Sequence, residues 1–379
     1  MSRRRATLGR VLSNTRLRAV ALAFLGFGAA EYGVWLAVLV YAYERGGATR
    51  AGVIAVVQLI PAAVVAPLAP RFAARLSAGA SLYLGYVALA ATLAITAALL
   101  LVGAPELLVY GGAVLAASAV TLIRPAQSAL LPELVSSPAD LTAANAITGW
   151  VESVSVLIGP ALAGAMIGLD GPGAATALLA GAVLGGVVLV SPLRTSGTTA
   201  DDAPAESDPL TDAGGVLSAV RRKPAIGLLL ALVAIEFIAS GALDVLEIVL
   251  AVRVLAIGAG DVGYLAAAFG AGGVLGSVAT VGLVGRRVLA GAALAGASVS
   301  GAAFVVLGIW PTVAGALVLL AAFGVGRSFL DVAARTILHR VVPSALRRHV
   351  FGAQEGLSML GLAAGSIAVP ALIAAGSAK

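Results

Sequence analysis

The chain has 379 residues, 60% of them hydrophobic and 11% charged, with a net charge of +6 and a mean hydropathy of +1.05. Soluble domains carry roughly 45–50% apolar and about 25% charged residues, so the composition excludes an ordinary water-soluble domain. Cysteine is absent, which excludes disulfides and thiolate metal sites, and the two histidines, His339 and His349, lie beside a basic loop rather than an acidic cluster. No metalloenzyme, Ser-His triad or cofactor is implied.

In chain order, residues 1–18, MSRRRATLGRVLSNTRLR, form a basic arm. It is like a signal-peptide n-region, but the apolar run that follows is too long and lacks a small-residue cleavage site, so the arm is expected to be retained in the cytoplasm, against anionic lipid. Apolar runs long enough to cross a bilayer are predicted at 19–43, 50–70, 78–103, 107–131, 141–168, 172–192, 225–252, 262–285, 288–309, 312–338 and 350–376, here called segments 1 to 11. As a helix the first would reach ~37 Å, against a hydrocarbon core of ~30 Å. Their connections are short except for 193–224, whose Ser, Thr, Pro, Gly and Asp mark a linker. Its end, GGVLSAVRRK, reads as a short interfacial helix. The expected organisation is an arm (1–18), a first bundle (19–192), a cytoplasmic linker (193–224) and a second bundle (225–379).

With the N-terminus inside, 17 of the 24 Lys and Arg fall in the arm and the cytoplasmic loops. The positive charge therefore reads as membrane topology and not as a nucleic-acid surface. The halves also repeat. RPAQSALLPELV from Arg124 aligns with DVAARTILHRVV from Asp331, and Gly52 and Arg75 match Gly263 and Arg286. Two parallel six-helix halves follow, the second ending one helix short, as in a truncated chain.

These segments resemble the major facilitator superfamily. RPAQSALLPELVSSPADLTAANAITGWVESVSVLIGPALAGAMIG is similar to the segment 4 to segment 5 region of bacterial exporters of the enterobactin and macrolide-efflux type. Gly159, Pro160 and Gly164 match the exporter motif on segment 5, with Ala163 at the first Gly of its final pair. GALDVLEIVL and VGRSFLDVAARTILHRVVP look like a mainly actinobacterial subgroup. In the loop after segment 2, APRFAARLS keeps Arg71 and Arg75 but has Pro70 where the family carries an acid, while GLVGRRVL after segment 8 keeps Gly282, Gly285, Arg286 and Arg287. The resemblance implies an all-α membrane fold, two pseudo-symmetric six-helix bundles around a central cavity, with eleven of the twelve helices present and alternating access between them. It does not imply a substrate.

Glu31 is the thirteenth of 25 residues in segment 1, near mid-bilayer. An exposed acid there costs ~2.5–3.5 kcal/mol or more, so it should face a cavity or a partner, either as a proton or cation site or as a structural carboxylate bonded to a neighbouring helix. Glu236 lies 15 residues after Arg221, as Glu31 lies 15 after Arg16, which places both acids at equal depth in segments 1 and 7. Tyr32 and Trp35 flank Glu31 and suit a cationic amphiphile through cation–π attraction, or simply pack. Tyr41 and Tyr43 read as interface anchors. Asp244 and Glu247 share a face of segment 7 and are assigned to the outer vestibule, or to gate contacts with Arg50 or Arg253.

Arg327, Asp331 and Arg335 recur every four residues on segment 10, and Arg124 can reach Glu152 on segment 5. Together with Arg75 and Arg286 they are assigned to an inner gate network, with Glu355 as a further candidate. Pro160 removes a backbone donor, and Gly164 permits close helix approach. No nucleotide-binding loop is present, so the expected drive is a gradient. The reading is a monomeric, proton-coupled antiporter of the bacterial inner membrane that exports a small amphiphilic compound. Its partners are protons and lipid, and no nucleic acid. A non-transporting sensor or scaffold with this fold, and facilitated uptake, stay open.

Overall fold

A computed structural model describes residues 13–65, 76–196, 217–218, 220–280, 289–342 and 347–377. The described elements are helical: α1 (Thr15–Val65), α2 (Ala78–Leu101), α3 (Glu106–Leu130), α4 (Pro138–Val190), α5 (Pro224–Val249), α6 (Val262–Thr280), α7 (Leu289–Ile309), α8 (Val313–Val341) and α9 (Arg347–Ser377). Nine of them contain stretches long and apolar enough to cross a membrane. Buried in lipid, a backbone must satisfy its own hydrogen bonds, which is why such uniformly apolar runs become helices.

Two helices break internally where the sequence prediction separates segments. In α1, Gly47 takes φ 64°, ψ −161° after Gly46 has left the helical region at φ −156°, ψ 20°. In α4, Gly171 takes φ 83°, ψ 179° immediately before Pro172. A side chain would be strained at either positive φ, and proline suits the first position of a new helix. α1 and α4 therefore each have a first and a second leg. Elsewhere polar caps start helices: Ser77, Ser137 and Thr312 accept from the backbone N–H of Ala80, Asp140 and Gly315.

Large apolar side chains stand on the outside, among them Leu107, Leu169, Ile309 and Trp310. In water this would mark an aggregating surface; against acyl chains it is the favourable arrangement. With no hydrophobic drive between helices in lipid, close packing must hold them together, and small residues serve it. A groove of about 570 Å³ on this surface, between α2 and the second leg of α4, is lined by Ala94, Ala98, Gly181 and Leu184 among others and carries no charge.

The described residues fall into two compact units, one within Met1–Tyr41, Val57–Ala203 and Ala259–Gly263, the other within Ala42–Val56, Pro204–Gly258 and Tyr264–Lys379. In the first, α2 packs on α3 and on the second leg of α4. Tyr86 is fully buried, with its ring edge-on to Phe27. In the second unit α5 packs on α9 and α7 on α8. Ile226, Leu229, Leu230 and Val233 of α5 meet Ala334 and Leu338 of α8 and Val350 of α9 in one apolar cluster. Ala292 and Ala293 of α7 meet Leu330 and Ala333 of α8 in another.

Candidate functional site

Phe24, Phe27 and Glu31 are spaced i, i+3, i+7 on the first leg of α1, which puts all three on one face. That face receives Arg124 of α3. One terminal nitrogen of the guanidinium donates to Glu31 Oε2 at 2.6 Å. The other donates to Glu152 Oε1 on the first leg of α4 at 2.7 Å. The guanidinium carbon lies 5.6 Å from the Phe24 ring centroid and 5.5 Å from that of Phe27. Delocalised charge, a flat shape and weak hydration suit arginine to aromatic faces and to two acids at once. The acids gain charge-assisted hydrogen bonds that offset the cost of leaving water.

A corresponding cluster lies in the second unit. Arg327 of α8 approaches Glu236 Oε1 of α5 with its Nε at 2.8 Å. The same oxygen accepts from the Ser240 hydroxyl at 3.1 Å, one turn along α5. Phe237 of α5 and Phe269 of α6 hold the Arg327 guanidinium carbon at 5.1 and 5.6 Å from their ring centroids. One turn along α8, Arg335 Nε donates to Asp331 Oδ1 at 2.8 Å. Asp331 is also within electrostatic reach of Glu236. Each cluster thus joins segments 1 and 4, or 7 and 10, of its own half.

The structure regroups the residues that the sequence singles out. Glu31, expected in a cavity set, and Arg124 and Glu152, expected in a gate set, form a single cluster. Of the stripe, Arg327 reaches Glu236 and Arg335 reaches Asp331, which itself lies within electrostatic reach of Glu236. Tyr32 lies within electrostatic reach of Arg124, and Trp35 is half-buried. Asp244 is half-buried beside a buried Glu247. Tyr41 and Tyr43, expected as interface anchors, are buried instead, Tyr41 packing edge-on to Tyr110; an aromatic near a helix end can face protein as readily as headgroups. Arg75 and Arg286 lie outside the described residues, as does the side chain of Glu355.

Gly159 and Gly164 sit where helices touch. A Cβ on Gly159 would stand against the Ala29 carbonyl of α1, and one on Gly33 against the Gly159 carbonyl. Gly164 faces the backbone of Gly260 and Gly263, and the Pro160 carbonyl faces Gly263. Close backbone contact thus holds the first leg of α4 beside α1 and brings Glu152 to Arg124. The sequence reasoning missed Phe24, Phe27, Phe237, Phe269 and Ser240. The first two carried a signal in their spacing to Glu31, and Phe237 in its adjacency to Glu236.

An all-helical, membrane-spanning chain with a carboxylate–guanidinium cluster in each half, and with no group of three or more potential metal ligands among the described residues, has the build of a solute carrier. The family model of the Major Facilitator Superfamily matches residues 20–375, and the chain belongs to that family. It is a transporter and not an enzyme. No curated protein matches the sequence. Among solved structures, a bacterial homologue of the human lysosomal transporter Spinster, in an inward-facing, unoccupied conformation, is 14% identical, covering 93% of this chain and 81% of its own with a TM-score of 0.69. A POT family transporter in complex with a thioalcohol-conjugated peptide is 13% identical, covering 94% and 90%, with a TM-score of 0.70. At such identity the likeness is one of fold.

Proposed function

We propose that this transporter is a proton-coupled exporter of small amphiphilic compounds, working by alternating access in a bacterial inner membrane with its N-terminus in the cytoplasm. The observation that carries the reading is Glu31, an acid in the middle of an apolar run, bound to Arg124 beside a second acid, Glu152. Protonating an acid in such a cluster releases part of the arginine's bonding, and this changes the free energy of any state that depends on the bond. Tyr32 and Trp35 next to Glu31 supply aromatic surface for an organic cation. The sequence resemblance to enterobactin- and macrolide-type exporters supports the direction of transport, through Gly159, Pro160 and Gly164.

Proteoliposomes containing the purified chain, offered lipophilic dyes such as ethidium under an imposed pH gradient, test the reading. Gradient-driven dye movement that a protonophore collapses and Glu31→Gln abolishes is the expected result. Dye movement indifferent to both would make the protein a facilitator. No movement of any dye in the panel would favour a sensor or scaffold.

A further inference from the structure

The groove between α2 and the second leg of α4 has a cause in the sequence. The two helices run antiparallel and touch at both ends, the Tyr86 ring against Gly186 and the Leu101 side chain against Gly173. Between these contacts the facing positions are small, Ala90, Ala94 and Ala97 on α2 against Ala177, Ala180 and Gly181 on α4, so side chains do not fill the gap. A space of about 570 Å³ is left open to the bilayer. From Gly173 to Gly186 the helix rises ~20 Å, against ~15 Å for one leaflet of a ~30 Å hydrocarbon core. With no charged residue in its lining, the groove offers water little to bond. Atoms around an unfilled gap forgo dispersion contacts, and a slim methylene chain restores them.

The two ends of the groove differ in charge. The described lysines and arginines of this unit are Arg16, Arg18, Arg124 and Arg194. Arg16 and Arg18 lie in the first turn of α1, whose Ala23 stands beside Gly186, and Arg194 follows the end of α4. Arg124 lies near the end of α3 remote from Glu106. At the Leu101 end of the groove stand carboxylates instead. Asp170 is exposed immediately before the bend at Gly171, and Glu106 opens α3 five residues after Leu101. An ammonium placed there gains charge-assisted hydrogen bonds, a quaternary amine has no proton to donate, and a bare phosphodiester meets like charge. We infer that the groove binds a phospholipid with a primary-amine headgroup, such as phosphatidylethanolamine. One acyl chain lies between α2 and the second leg of α4, and the ammonium meets Asp170, with Glu106 adding to the negative potential at that end. The lipid belongs to the leaflet at the Leu101 end, the outer one in the orientation proposed above.

Native mass spectrometry of the full chain in detergent, with the dioleoyl forms of phosphatidylethanolamine, phosphatidylcholine and phosphatidylglycerol added at equal concentration, tests this without any transport substrate. The most tightly held lipid on the wild type should be one ethanolamine lipid per chain, preferred over the choline lipid by roughly two- to fivefold, as one exposed ion pair allows. Asp170→Asn should bring that ratio to parity while a lipid is still bound, and Glu106→Gln should lower it less. Gly181→Leu, which fills the groove, should remove the bound lipid whatever its headgroup. Gly301→Leu on α7, also exposed with open space around it, should leave the lipid bound and so controls for an added side chain. Equal retention of the three lipids by the wild type, a ratio untouched by Asp170→Asn, or an adduct that survives Gly181→Leu overturns the inference. So does a dimer that Gly181→Leu abolishes and Gly301→Leu does not, since a second copy would then hold the groove.

Discussion

Both halves place an acid on their first helix against an arginine on their fourth, with aromatic rings under the guanidinium. They then diverge. The first recruits another acid from α4, whereas the second recruits a hydroxyl from the same helix and, one turn away on α8, the Asp331–Arg335 pair. The repeated scaffold places an acid against an arginine in each half, and the residues that neighbouring helices and turns add around that pair differ.

The comparison can be broken by stability measurements on purified protein in detergent. The largest effect is expected from Arg124→Met, which strands two carboxylates at once. Removing one partner of a buried pair costs about 3–5 kcal/mol, and because the Arg124 and Glu152 side chains are 37% and 41% exposed the loss at each acid should fall at or below the low end of that range. Arg327→Met strands one and should cost less. If the two variants unfold at the same denaturant concentration, the clusters are not different in the way described. Adding Glu152→Gln to Arg124→Met should recover part of the loss, a coupling on the order of 0.5–3 kcal/mol readable from a double-mutant cycle. Adding Ser240→Ala to Arg327→Met should recover none.

A smaller effect should follow Gly159→Ala, whose methyl meets the Ala29 carbonyl. Overpacking of this kind costs about 1–3 kcal/mol. Its counterpart, Gly181→Ala, adds a methyl where there is open space and should leave the thermal midpoint unchanged. The smallest effect belongs to Arg335→Ala, since a partly exposed pair four residues apart contributes roughly 0.3–0.5 kcal/mol.

Much of this frame was legible in the residues. Unbroken apolar length gave the membrane-spanning helices, and the equal distance of Glu31 and Glu236 from upstream arginines gave their equivalence. The segment ends at 43 and 50, and at 168 and 172, bracketed the breaks that fall at Gly47 and Gly171, where φ is positive. Partnership was less legible. Arg124 lies 93 residues from Glu31, and which faces of two helices meet depends on their mutual rotation, which apolarity on every side leaves undetermined. For the same reason an even four-residue stripe on α8 did not show that Arg327 reaches Glu236 on another helix.

The bend at Gly171 has a practical consequence. Two long helices are joined there without a single spare residue, like a hairpin bent from one wire. A protease finds no slack chain to grip at that tip, and an epitope tag or fluorescent reporter spliced in would have to force the helices apart.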